Sequence, residues 1–166
     1  PRLQQRGVEA RVYLGMKNWH PLILDAVPRM AADGGRHLIA VPLAPHYTTV
    51  STGAYRTKLD EALAAVRAPL DVSFVLRWGD NPHFLDGVAE CVRQALLSFP
   101  DPARVRVVFT AHSIPERYVS TGELYPEEVR ASAIAVAERV GLIRWDLAYQ
   151  SAGAYGGPWL GPDILE

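Results

Sequence analysis

The clearest sign of the fold class lies in residues 104–150, which read RVRVVFTAHSIPERYVSTGELYPEEVRASAIAVAERVGLIRWDLAYQ. Residues 104–110 form an apolar run of strand length, and residues 145–150 form a second one. Between them, the stretch from Pro126 to Gly141 predicts a helix, because proline suits the first turn, two glutamates follow it and glycine ends it. A strand, a helix and a second strand in this order are typical of an α/β fold with a parallel sheet.

The same alternation extends back towards the start of the chain. We predict further strands at residues 8–14, 37–43 and 71–78, and further helices at residues 21–32, at residues 48–66, and from Pro82 after a capping Asn81. Residues 99–102 (FPDP) interrupt the pattern and predict a domain boundary. The chain starts in what reads as the last turn of a helix and stops after a loop-like stretch, so we expect it to be an internal piece of a longer protein.

Composition excludes several classes of protein. The 166 residues carry 17 Lys and Arg against 18 Asp and Glu, and this balance argues against a nucleic-acid-binding protein. No apolar run approaches the roughly 18 residues of a membrane span, and because the first residues lack a charged-then-apolar pattern we expect no signal peptide. The single cysteine, Cys91, excludes an internal disulfide and a thiolate-only zinc site, which is consistent with a cytoplasmic protein.

Two histidines lie where strands of the predicted sheet end, which is where ligands gather in parallel sheets. His112 directly follows a predicted strand, where a neutral imidazole can bind a metal ion or accept a proton; alternatively, it only caps the strand end through backbone hydrogen bonds. His46 follows another strand and could flank the same site as His112; alternatively, it is a loop histidine that stacks on Tyr47. No HExxH motif and no glycine-rich phosphate loop is present, which argues against a nucleotide-dependent enzyme.

Four motifs, taken in order, resemble those of the ferrochelatases, which insert ferrous iron into a porphyrin during haem synthesis. They are LAPHYTTVSTGAY (residues 43–55), TAHSIP (110–115), YPEEVRASA (125–133) and YQSAGAYGGPWLGPD (149–163). A further segment, GMKNWHPLI, is similar to the family's run before its proline-led helix. The resemblance covers essentially the whole chain.

The resemblance implies a role for five residues. His112 matches the family's iron-contacting, proton-accepting histidine, so it is both the catalytic candidate and the metal-contacting one. Tyr55 and Trp159 match aromatic residues that contact or lie near the porphyrin. Lys17 matches a basic residue of the cleft that can pair with a propionate, and His46 matches a motif residue with a less direct link to the substrate.

The family fold implies two Rossmann-like domains of parallel sheets flanked by helices, here both incomplete. Residues 1–100 are then the C-terminal part of the first domain, and residues 101–166 are the N-terminal part of the second. The family's catalytic glutamate and its N-terminal porphyrin contacts are expected outside this chain, so we expect the isolated chain to be inactive. Fe²⁺ and the porphyrin are expected as substrates, with no permanent cofactor and, given one cysteine, no iron–sulfur cluster.

Two alternatives to a ferrochelatase remain open at this point. One is a chelatase of the same superfamily that inserts cobalt. The other is a module that binds a tetrapyrrole or a metal ion without turnover. Because the LAPH(Y/F) block resembles that of bacterial enzymes acting on coproporphyrin III, we expect this substrate in preference to protoporphyrin IX.

Overall fold

The computed structural model describes residues 2–66, 69–153 and 157–166. Its helices are α1 (Arg2–Gln5), α2 (Ile23–Ala32), α3 (Ala54–Ala64), α4 (Pro82–Leu96), α5 (Glu116–Ser120) and α6 (Tyr125–Val140). Its strands are β1 (His37–Ala40), β2 (Asp71–Phe74), β3 (Val107–His112) and β4 (Trp145–Gln150). The described residues divide into two compact units, one drawn from residues 1–42 and 50–75, the other from residues 43–49 and 76–166.

The first unit is a two-stranded parallel sheet covered by helices. β1 pairs with β2 in parallel, with His37 opposite Asp71. Helices α2 and α3 pack together, and Val27, Leu59 and Ala62 form their buried core. A π-helical turn, Thr49–Gly53, leads directly into α3.

The second unit repeats the arrangement with longer elements. β3 pairs with β4 in parallel, from Val107 opposite Trp145 to His112 opposite Gln150. Helix α4 packs on α6 through Leu85, Ala89 and Val136. The predicted α/β class with parallel strands is therefore confirmed. The predicted domain boundary near residue 100 concerns the complete domains of a longer protein and stays a prediction.

Four predicted strands differ from those observed, and one of them, predicted at residues 104–110, runs instead from Val107 to His112. Residues 8–14 make no ladder within the described part of the chain, although Tyr13 donates a 2.6 Å hydrogen bond to Asp33. The prediction of a strand there was wrong, because alternating apolar residues form a strand only where a partner strand accepts their backbone bonds. The predicted strands 37–43 and 71–78 end earlier, at Ala40 and Phe74.

The predicted helices are confirmed, but the one predicted at residues 48–66 is α-helical only from Ala54 to Ala64, after the π-helical turn Thr49–Gly53. Asn81 caps α4 by accepting a 3.0 Å hydrogen bond from the His83 N–H, and Gly141 ends α6 with a left-handed backbone (φ 79°). Pro28 lies inside α2 without ending it. Residues 111–125, which lie between a predicted strand and a predicted helix, contain the short helix α5. No described helix has both the length and the apolar character needed to span a membrane.

Candidate functional site

His112 is the last residue of β3, since that strand runs two residues beyond its predicted end. Its side chain is exposed, whereas its backbone is held on two sides. The neighbouring Ser113 N–H donates to the Gln150 carbonyl at 2.8 Å, and the His112 carbonyl accepts a 2.9 Å hydrogen bond from the Tyr125 hydroxyl. An accessible imidazole on a fixed backbone is suited to accepting a proton or contacting a metal ion.

Ser113 links the TAHSIP motif to the PWLGPD segment. This side chain is 1% exposed, and its hydroxyl donates to the Leu160 carbonyl at 2.7 Å. The Leu160 N–H donates to the Ile114 carbonyl at 2.9 Å, and Pro115 pairs with Trp159 in an antiparallel bridge. Two motifs separated by more than 40 residues are therefore neighbours beyond the end of β3.

Trp159 lies against Gly153, and the approach is close enough to require a glycine. A Cβ atom at Gly153 would lie 2.6 Å from Cζ2 of the indole ring. The ring is half-buried. The intervening residues 154–156 of the motif, with Tyr155, lie outside the described residues.

His46 belongs to the second unit and is held by helix α6. Its ring meets the Tyr125 ring edge-on at 6.2 Å, and its Nε2 lies 2.8 Å from the Ser132 hydroxyl. Because the Ser132 hydroxyl donates to the Gly79 carbonyl at 2.9 Å, we assign Nε2–H as the donor to Ser132. Burial lowers the pKa of His46 below its usual value, and the negative charge of Glu128 partly opposes this.

The backbone around His46 is also tied to α6 and to the turn before it. One Glu128 oxygen accepts from the Tyr47 N–H at 3.1 Å, and the other accepts from the Arg77 guanidinium at 2.6 Å. Glu123 accepts from the Thr49 N–H at 2.8 Å. These contacts give His46 a fixed position, and its predicted contact with substrate stays a prediction.

Lys17 and Tyr55 lie together in the first unit. The Lys17 ammonium is 5.5 Å from the centroid of the Tyr55 ring and donates to the Val50 carbonyl at 3.4 Å. Tyr55 is the second residue of α3 and is half-buried. Lys17 and Lys58 also line a small groove of about 130 Å³, whose remaining lining residues are Met16, Leu22, Ile23 and Leu24. A cation beside an aromatic face can bind an acidic group attached to a flat apolar ligand.

Of the predicted site residues, Lys17 and Tyr55 contact each other in the first unit, and His46, His112 and Trp159 belong to the second. The sequence did not indicate Tyr125, which contacts both His46 and the backbone of His112. Tyr125 precedes the proline that marks the helix start, and an aromatic residue at the end of a helix indicates only that it packs in the core. Within the described residues, no cluster of three or more His, Cys, Asp or Glu side chains is placed to hold a metal ion.

The sequence model of the ferrochelatase family matches residues 1–166. The chain is 41% identical to a ferrochelatase of Herpetosiphon aurantiacus over 158 residues, which cover 94% of this chain and 52% of that protein. It is 38% identical to the coproporphyrin III ferrochelatase of Geobacillus kaustophilus over 164 residues, which cover 98% of this chain and 52% of that protein. A ferrochelatase of Thermus thermophilus is 41% identical over 157 residues, which cover 95% of this chain and 50% of that protein. The chain spans about half the length of these relatives.

Proposed function

This chain belongs to the ferrochelatase family, and from that membership we propose that its protein inserts ferrous iron into a porphyrin in haem biosynthesis. The observation that carries the proposal is the end of β3, where an exposed His112 side chain follows a backbone fixed by Tyr125 and Gln150. A predicted cytoplasmic location belongs to the same proposal and is supported by the presence of only one cysteine.

Iron insertion sets three chemical requirements that the described residues can meet in part. Two pyrrole N–H protons must leave as Fe²⁺ enters the macrocycle, so a base is needed, and we assign that role to His112. The imidazole also offers a transient contact for the incoming ion. The macrocycle needs flat apolar contacts, and Trp159 and Tyr55 are the aromatic side chains that we assign to this role from the family resemblance. Its propionates need cations, and we assign Lys17 to one of them.

Replacement of His112 tests the proposal. We define the parent protein as the longest natural chain that contains residues 1–166. In that protein, His112→Ala should reduce the rate of iron insertion at least about a hundredfold, because removal of a general base usually costs that much. Thermal unfolding should hardly change, since the side chain is exposed. A rate above about a tenth of wild type would exclude this role for His112.

The outcome for the wild-type parent protein separates the alternatives. Steady insertion of iron with little insertion of cobalt would support the proposal. Faster insertion of cobalt would instead assign the protein to a cobalt-type chelatase. Tight porphyrin binding without any turnover would assign it to a non-catalytic binding module.

The finer proposal is that coproporphyrin III is the preferred porphyrin. It is supported by the names of several relatives, including proteins of Geobacillus kaustophilus and Geobacillus thermodenitrificans that are called coproporphyrin III ferrochelatases. Coproporphyrin carries propionates at two positions where protoporphyrin IX carries vinyl groups. Each extra carboxylate needs water or a cation, because burying an unpaired carboxylate is costly. Competition kinetics should give a higher kcat/KM for coproporphyrin; a higher value for protoporphyrin would overturn this preference.

Lys17→Met tests the cation proposed for a propionate. It should lower kcat/KM for coproporphyrin about tenfold, the effect of losing one charge-assisted hydrogen bond of about 1.5 kcal/mol. Lys58→Met is the matched control, because Lys58 lines the same groove but is already paired with Glu61 at 2.6 Å. Equal effects of the two substitutions, or none for Lys17→Met, would exclude Lys17 as a propionate partner.

A further inference from the structure

One buried side chain, Tyr125, contacts two of the three histidines of the second unit, His46 and His112. It is the first residue of α6 and is 8% exposed. Its hydroxyl donates to the His112 carbonyl at 2.9 Å, and its ring meets the His46 ring edge-on at 6.2 Å. Because His46 and His112 are 66 residues apart in sequence, this shared contact is a product of the fold.

The hydrogen bond from the Tyr125 hydroxyl lies at the end of the β3–β4 ladder. The last backbone bond that links this end of β3 to β4 is made by the Ser113 N–H to the Gln150 carbonyl. Beyond it, the chain turns away towards Pro115 and Trp159. The peptide that joins His112 to Ser113 is therefore held through its N–H by β4 and through its carbonyl by Tyr125. With both groups bonded, this peptide plane cannot rotate without losing a hydrogen bond, and the direction of the His112 side chain depends on it.

The surroundings of Tyr125 keep its hydroxyl protonated, so that it remains a hydrogen-bond donor. Its ring packs in a buried cluster with Ile114, Val129 and Tyr149. Burial raises the pKa of Tyr125 to about 12, so the hydroxyl keeps its proton across the physiological range and donates it to the carbonyl. A hydroxyl that is buried, protonated and in contact with a carbonyl acts as a fixed support rather than as a reacting group.

We propose that Tyr125 is a positioning residue that sets the orientation of His112 by holding its backbone carbonyl and packs against His46 with the same ring. This inference rests on the proposed function, since it gives His112 the role of the base. It predicts that removing only the hydroxyl disturbs the chemical step and leaves porphyrin binding intact. Small displacements of a catalytic group of about 1 Å can cost up to about a hundredfold in rate.

The test is Tyr125→Phe in the parent protein, which keeps the ring and its packing. We expect kcat for iron insertion to fall about tenfold, with KM for the porphyrin changed less than about twofold. The matched control is Tyr149→Phe, which removes a hydroxyl from the same buried cluster. Among the described residues, the Tyr149 hydroxyl makes no hydrogen bond, so kcat should stay within about twofold of wild type.

A second measurement does not depend on activity. In NMR spectra of ¹⁵N-histidine-labelled protein, Tyr125→Phe should shift the ring signals of His112 and His46 and leave those of the exposed His83, in the first turn of α4, unchanged. An unchanged kcat in an otherwise active protein would overturn the inference, and so would unmoved His112 signals. Equal losses of kcat in Tyr125→Phe and Tyr149→Phe would also overturn it, because they would show a general effect on the core.

The two proposals fail in different ways. If the wild-type parent protein inserts no metal ion, the proposed function fails, while the NMR shifts still decide whether Tyr125 holds His112. If the wild type is active and His112→Ala abolishes that activity, an unaffected Tyr125→Phe variant refutes the positioning role alone.

Discussion

At the scale of single residues, Gly79 lies as close to the His46 ring as Gly153 lies to the Trp159 ring. A Cβ atom at Gly79 would lie 2.6 Å from Nε2 and Cδ2 of the His46 ring. The ring would have to move, and its hydrogen bond with Ser132 would be lost. We therefore expect Gly79→Ala to lower the free energy of unfolding by about 1–3 kcal/mol, the range found for overpacking. Urea denaturation of the parent protein measures this.

Gly87→Ala provides the control for that substitution. Gly87 lies inside α4, and a Cβ atom there would meet nothing within 4 Å. Alanine is a better helix former than glycine, so this variant should gain about 0.5–1 kcal/mol. Opposite signs for the two glycines would support the packing argument. If both variants were stabilised, the ring of His46 would not be fixed where the structure places it.

At the scale of an element, α6 presents one face to the segment that carries His46. Tyr125, Glu128 and Ser132 are spaced by three and four residues and so lie on the same side of the helix. Each contacts the His46 ring or its neighbouring backbone. The charge of Glu128 is the contribution that raises the pKa of His46 against the larger, lowering effect of burial.

Glu128→Gln should therefore lower the pKa of His46 further. Glutamine keeps one side-chain oxygen that can accept from the Tyr47 N–H, but its NH₂ cannot accept from Arg77, so the substitution removes both the negative charge and the ion pair with Arg77. Burial favours the neutral form of His46. The part of the free energy of unfolding that depends on neutral His46 is therefore fully present above a pH of about 6.5 and is lost as the pH falls through the lowered pKa of His46. An NMR titration of His46 checks the direction, with Glu127→Gln, at an exposed neighbouring position, as control. A rise in the pKa of His46 in Glu128→Gln would contradict the argument.

The elements also show how much the sequence alone can predict. β4 was predicted with its observed bounds and α6 nearly so, because their signals are local: an apolar run, a proline, two glutamates and a terminal glycine. Residues 8–14 carry an equally clear alternation but form no ladder in the described chain, since pairing depends on a partner that local sequence does not specify.

In the candidate site, too, features with a local sequence signal were predicted, and features that depend on distant segments were not. His112 was found from its place at a strand end, and that place is confirmed to within two residues. The hydroxyl of Tyr125 on the His112 carbonyl and the Ser132 contact of His46 join distant segments, and no spacing in the sequence indicates them. Sequence reasoning therefore identified candidate chemical groups, whereas the structure was needed to find what holds them.

At the scale of the whole molecule, each unit contains a sheet of only two described strands. Two-stranded sheets are marginal by themselves, and large apolar side chains such as Leu43, 84% exposed, lie uncovered. The chain also spans about half the length of its relatives. We therefore expect the isolated 166-residue chain to insert no iron under conditions where the parent protein does. A fluorescence assay of porphyrin metallation at equal concentrations measures this, and the His112→Ala version of the isolated chain controls for contaminating activity. Turnover that His112→Ala abolishes in the isolated chain would contradict the prediction, because it would place every group that the reaction needs within these residues.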